Sequence, residues 1–291
     1  MIYVINVNSC AVHLCRQTEH MEILPVMRKI VFAARQLRSL MMVVLMSILF
    51  ASSAQAKVTK EVLKLDGRSI TIPTYAWSDS SIAPKAVLIG LHGGIQHGNH
   101  YAALAERLAP QGFLFYSIDF YGHGDWLAKS KKRPKVDYNA TAVDLVKLAT
   151  VLRSQHPGLP VFCIGESLGA AMALKAISSK PKLFDGLILV SAGMRPAAGH
   201  HIGATLKSVQ SGIMTLGMTV DISDHLKTIS DDPRTNDEMI NDPLSRTKAS
   251  LKDLLHTVNF LRQGHSLASK INPDVPVLVL QGGKDQIIQP S

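Results

Sequence analysis

Three features of this 291-residue sequence predict an α/β protein with a mostly parallel sheet flanked by helices: apolar strand-like runs alternate with helical stretches, a Gly-x-Ser-x-Gly turn joins one such pair, and the rhythm breaks only between residues 195 and 262. Alternation over residues 62–65 and 69–75 around Asp66-Gly67 predicts a hairpin. Pro84 precedes the unbroken apolar run 86–91, which suits a strand covered on both faces and ends in His92-Gly93-Gly94. A helical stretch over 100–108, a strand over 113–118 and a loop with Gly122-His123-Gly124 follow. Val143, Leu145, Val146, Leu148, Ala149 and Leu152 recur at helical spacing across 138–153, and His156-Pro157-Gly158 ends that helix. The strand 161–164 leads into the turn at 165–169 and then into the helix formers 170–177; residues 187–190 and 275–280 read as further buried strands.

Between 195 and 262, Ile202, Leu206, Val209, Ile213 and Leu216 form one helical stripe, while Leu251, Leu254, Leu255, Val258 and Leu261 form another. A polar, turn-rich section over 221–243 separates them. The expectation is a helical cap over the strand ends at 195–262, inserted between a core of 57–194 and its continuation at 263–291; the alternative is ordinary helices packed on the sheet.

A hydrophobic content of 46% gives a chain of this length enough apolar surface for a full core, which excludes a disordered protein. The net charge of +9 lies partly in residues 1–56, where Arg16, Arg28, Lys29, Arg35 and Arg38 outnumber Glu19 and Glu22. The densest remaining basic run, 129–135 with Lys131, Lys132 and Arg133, reads as a solvated loop, with attraction to an anionic surface second. No aromatic residues interleave it, so nucleic acid is not expected.

Residues 27–56 have the build of an export signal: a basic start, an apolar stretch over 40–50 broken only by Ser47, and Ala54-Gln55-Ala56 as a small-x-small cleavage site. A periplasmic or secreted protein beginning at Lys57 is expected, with Met27 the more sensible start and 1–26 a mis-assigned start region. The apolar stretch is short for spanning a bilayer. Cleavage would leave Cys163 as the remaining cysteine, in an apolar strand where an inert buried thiol is expected. No ligand cluster with metal-site spacing occurs, and no metal or cofactor is expected. Asn139-Ala140-Thr141 matches a glycosylation acceptor, a pattern too short to carry weight.

The turn Gly165-Glu166-Ser167-Leu168-Gly169 points to chemistry. A strand-to-helix turn this tight strains its central residue, and glycines on either side let strand and helix approach. It exposes the Ser167 hydroxyl as a candidate nucleophile and, because Ser167 opens the helix, aims the Leu168 N–H at any anion formed beside it.

Together, His92-Gly93-Gly94, Asp119-Phe120-Tyr121-Gly122-His123-Gly124, the Ser167 turn, Asn241-Asp242-Pro243-Leu244 and Leu280-Gln281-Gly282-Gly283-Lys284-Asp285 resemble the α/β-hydrolase fold, and within it the monoacylglycerol lipase and lysophospholipase group often described as serine aminopeptidase-like. The resemblance covers about residues 58–291 and assigns the acid of the triad to Asp285, with the oxyanion held by the backbone N–H groups of Leu168 and Gly94. His92 and His123 would shape loops, and Glu166 would orient its surroundings. Acyl transfer needs an imidazole to take the serine proton and a carboxylate to steady that imidazole. In this fold the order is Ser, acid, His, and residues 286–291 hold no histidine; His256 and His265 precede the acid. The catalytic His is therefore expected to be missing from a chain truncated before its last strand, histidine loop and final helix, with an unpaired sheet edge as the result. What the resemblance implies is a serine hydrolase for carboxylic esters, of lipid type such as monoacylglycerols or lysophospholipids, working through an acyl-enzyme on Ser167, with the cap touching an acyl chain or a membrane surface. Aminopeptidase or small-ester activity is the alternative within the enzyme class, and a degenerate, non-catalytic binding protein the alternative outside it.

Overall fold

The computed structural model describes residues 2–6, 57–62, 73–128, 134–192, 218–227, 229–283 and 285. Its centre is an eight-stranded sheet of β1 (Ile2–Asn6), β2 (Lys57–Val62), β3 (Pro73–Ser78), β4 (Ala86–Leu91), β5 (Phe113–Ile118), β6 (Val161–Glu166), β7 (Gly186–Val190) and β10 (Val277–Gln281), in the order β1-β10-β7-β6-β4-β5-β3-β2. Six of these strands, from β1 to β5 in that order, run parallel, while β3 and β2 are antiparallel to their neighbours. Such a sheet needs crossover connections, supplied by α1 (Ala102–Leu108), α3 (Tyr138–Gln155) and α4 (Leu168–Ser179); α2 (Asp125–Ala128) is a single turn.

The run 86–91 shows why a continuous apolar stretch was needed. Val87, Ile89 and Leu91 pack into a core with Leu145, Leu148 and Leu152 of α3 and Ala170, Ala171 and Leu174 of α4. Ala86 and Leu88 face the other way, into a second cluster with Ala105 and Leu108 of α1 and Phe113 and Phe115 of β5. Every side chain of β4 is buried, so alternation with polar residues would have left polar groups in a dry layer. The α3 helix starts where Asp137 accepts from the Ala140 N–H at 2.9 Å, an N-cap that satisfies one otherwise orphaned donor. Asn139-Ala140-Thr141 lies in its first turn, with Thr141 buried. Cys163 is fully buried, and burial pushes its thiol pKa up, as an inert core thiol requires.

Three expectations change. The hairpin pairs Val62 with Pro73 and Lys57 with Ser78, so its described strands stand farther from Asp66-Gly67 than alternation predicts; residues 63–72 lie outside the described residues. The far edge of β10 is paired, because residues 2–6, expected to lie ahead of the folded core, run parallel to it as β1. Finally, the helix read from Leu251 extends past 262 as α7 (Leu251–Ala268), which packs along α4 and sends Phe260 and Leu267, residues off the expected stripe, into the sheet core.

What remains of the insertion among the described residues is α5 (Ser223–Leu226), α6 (Pro233–Asn241) and a two-stranded ribbon of β8 (Thr219–Asp221) with β9 (Lys248–Ser250). The stripe 202–216, the export-signal region 27–56, Cys10, Cys15 and the basic residues 129–133 lie outside the described residues. Among the described residues no helix is long and apolar enough to cross a membrane, and no His/Cys/Asp/Glu group is arranged to hold a metal ion.

Candidate active site

Ser167 joins β6 to α4 with φ 51° and ψ −107°, a region that costs a non-glycine residue about 1–3 kcal/mol. The surroundings hold it there: its N–H donates to Val190 O at 2.9 Å, and the helix behind it is pressed against β4. A Cβ on Gly169 would lie 2.6 Å from the Leu91 carbonyl carbon, and one on Gly165 would meet the Gly169 carbonyl. Both glycines are thus required by close backbone approach. Ser167 itself is half-buried.

Gly94 follows the end of β4, and a Cβ built on it would touch Leu168 Cδ2 at 4.0 Å, so the two expected oxyanion donors come from segments in contact. Among the described residues neither the Gly94 nor the Leu168 N–H has a hydrogen-bond partner. The carbonyls of Gly93, Gly94 and Ile95, by contrast, are all taken. His92 Nε2 accepts from Phe120 N at 3.0 Å, which puts the proton on Nδ1, and Nδ1 donates to Gly93 O at 2.7 Å. His123 Nε2 donates to Gly94 O at 2.9 Å. Arg246 N donates to Ile95 O at 2.7 Å.

Both loop histidines are neutral. Burial, then the neighbouring His123, holds the His92 pKa well below its ordinary value; burial, then the Arg246 charge, brings His123 down to about 4. Asp119 opens the next loop and accepts from Gly98 N and Asp125 N, each at 2.7 Å; burial raises its pKa despite these bonds. Arg246 crosses from the insertion into the same region, donating to Gly122 O at 2.5 Å and Pro134 O at 3.0 Å and pairing with the buried Asp253 at 2.7 Å. Asp242 of the Asn-Asp-Pro-Leu segment contacts His97 Nε2 at 2.7 Å and accepts from Leu244 N. Local motifs did not mark Gln96, His97, Arg246 or Asp253, each of which has at least one partner far away in sequence.

Asp285 stands just past β10, its N–H on Gly282 O at 3.2 Å and its Oδ2 accepting from Gln281 Nε2 at 3.0 Å. Since β7 alone separates β10 from β6, Asp285 and Ser167 lie at the same carboxyl end of the sheet, where ligands of open α/β sheets bind. His256 and His265 are exposed on α7. Among the described residues no imidazole hydrogen-bonds Ser167.

The sheet order, with a strained strand-to-helix turn at its carboxyl end, defines an α/β-hydrolase fold. Residues 82–291 match the family described as serine aminopeptidase, S33, and the chain belongs to that family. A monoglyceride lipase homolog of monkeypox virus is 29% identical over 213 residues, 70% of this chain and 72% of its own length. The human monoglyceride lipase is 26% identical over 70% of this chain, which spans 66% of that relative. Among solved structures, a soluble variant of the monoglyceride lipase from Saccharomyces cerevisiae, in complex with a substrate analog, superposes with a TM-score of 0.61 at 16% identity, covering 83% of this chain and 81% of that one.

Proposed function

We propose that this protein is a serine ester hydrolase acting on lipid-type esters, monoacylglycerols or lysophospholipids, through an acyl-enzyme on Ser167. The observation that carries the reading is a strained, half-buried Ser167 beside two unpartnered backbone amides, Gly94 and Leu168, in a chain related to monoglyceride lipases. The Ser167 oxygen attacks the ester carbonyl while a base takes its proton, and the carbonyl oxygen becomes an anion that the two amides receive; each such donor contributes about 3 kcal/mol to the transition state. The adduct collapses by breaking the ester C–O bond, the alcohol leaves with that proton, and water then hydrolyses the acyl-enzyme to the fatty acid. Asp285 is the acid that would orient an imidazole. Among the described residues no imidazole contacts Ser167, so the test of the reaction supplies imidazole as an added base.

The test is hydrolysis of monooleoylglycerol by the full chain, with and without added imidazole, each rate corrected by Ser167→Ala. A Ser167-dependent rate that imidazole raises about 10-fold or more supports the reading. Folded protein whose Ser167 stays unmodified by a fluorophosphonate in the presence of imidazole overturns it. A second reading, a non-catalytic hydrolase-fold binding protein, predicts lipid binding without labelling.

Export with cleavage after Ala56, and contact of the insertion with a membrane surface, belong to the same proposal. The basic, apolar and small-residue blocks of 27–56 support export, while the pairing of residues 2–6 with β10 speaks for retention of the N-terminus. N-terminal sequencing of protein recovered outside the cytoplasm separates the two.

A further inference from the structure

We propose that Gln96 is a positioning residue for this reaction, fixing the Gly93-Gly94 peptide under the nucleophile by tying the Gly93 amide to the Glu166 carboxylate next to Ser167. The inference rests on the Ser167 reading. Gln96 is buried, and its side-chain atoms allow one assignment: a backbone N–H can only donate, so the atom 2.8 Å from Gly93 N is the acceptor Oε1. The amide nitrogen then faces two acceptors, Glu166 Oε1 at 3.3 Å and His100 Nε2 at 2.9 Å. Both N–H groups of the carboxamide are thereby used, and the His100 proton sits on Nδ1.

The consequence reaches Gly94 through peptide geometry. The Gly93 C=O and the Gly94 N–H belong to one planar trans unit and point in opposite directions. Gly93 O is held by His92 Nδ1 at 2.7 Å and by the Gln96 backbone N–H at 3.3 Å, and Gly93 N by the Gln96 side chain. Two successive glycines have no side chains to restrict them, so these bonds set the direction of the unpartnered Gly94 N–H. Glu166 supplies the anchor. It is the residue before Ser167, so Gln96 relates the oxyanion loop to the nucleophile turn across a sequence separation of 70 residues. A Cβ on Gly93 would lie 2.7 Å from Gln96 Oε1 and 3.6 Å from Glu166 Oε1, which shows how closely the three groups pack.

The experiment is a reversal of donor and acceptor. Gln96→Glu keeps the acceptor for Gly93 but sets a second carboxylate against Glu166; adding Glu166→Gln returns one donor and one acceptor with their places exchanged. The readouts are the rate of fluorophosphonate labelling at Ser167 with imidazole present, the split of kcat and KM on monooleoylglycerol, and the thermal midpoint. Gln96→Glu is expected to slow labelling and kcat about 10- to 100-fold with KM within about twofold. The double variant Gln96→Glu/Glu166→Gln is expected to recover to within about threefold of the parent rate. A folded Gln96→Glu protein that labels at the parent rate overturns the proposal, as does a folded double variant that stays about 10-fold slow. Parent protein that is not labelled refutes the Ser167 reading instead, so the two failures are distinct. A purely structural role for Gln96 would lower the midpoint and leave the labelling rate of the folded fraction unchanged.

Discussion

Acid should loosen the site through His123. Its imidazole is fully buried and lies near the Arg246 charge, which together bring its pKa down to about 4 from an ordinary value of 6.5, although its bond to Gly94 O acts the other way. In the window between those values the unfolded chain binds a proton that the folded chain refuses. The unfolded state therefore gains as pH falls, and stability present above about pH 6.5 is lost on the way down. For one such imidazole the loss between about pH 7.5 and about pH 5 is about 2 kcal/mol. His92, whose pKa is also lowered by burial, adds to it in the same direction. Replacing His123 by Gln keeps a side-chain N–H for Gly94 O and removes the titration. Urea unfolding of parent and His123→Gln across that pH range should give curves that converge toward acid, with the parent losing about 2 kcal/mol more. Parallel curves would mean that His123 is as easily protonated folded as unfolded, and the account of the neutral loop would be wrong.

Two substitutions probe the turn itself. Gly169→Ala puts a methyl 2.6 Å from the Leu91 carbonyl carbon and 3.0 Å from His92 O, backbone atoms of a central strand that cannot step aside, so a loss of about 3 kcal/mol is expected in urea unfolding. Ser167→Gly should abolish labelling yet raise stability by about 1 kcal/mol, because glycine adopts φ 51° without steric strain and gives back part of the gain in chain entropy. An unchanged or lower unfolding free energy in Ser167→Gly would remove the evidence for strain at the nucleophile.

The parts of the fold legible in the sequence are those with one local cause. The strand expected at 86–91 is found over Ala86–Leu91, since a run apolar at every position suits a strand buried on both faces, and the expected strand at 113–118 is found over Phe113–Ile118. The Gly-x-Ser-x-Gly turn was legible because only its glycines permit the approach of α4 to β4. The stripe of Leu251, Leu254, Leu255, Val258 and Leu261 was legible as a helix, but Phe260 and Leu267, which enter the sheet core, lie off that stripe, and a 3.6-residue period says nothing of what each face meets.

The amino-acid order by itself determined the alternation of strands and helices, the strained serine and the small-residue seam behind it, because short-range sterics and hydrophobic periodicity act within a few residues. Only the tertiary structure decided that β1 closes the edge of β10, that Arg246 reaches the Gly122 loop and that Gln96 meets Glu166. Those contacts join segments far apart in the chain, and a hydrogen bond between them has no signature until packing brings donor and acceptor within about 3 Å.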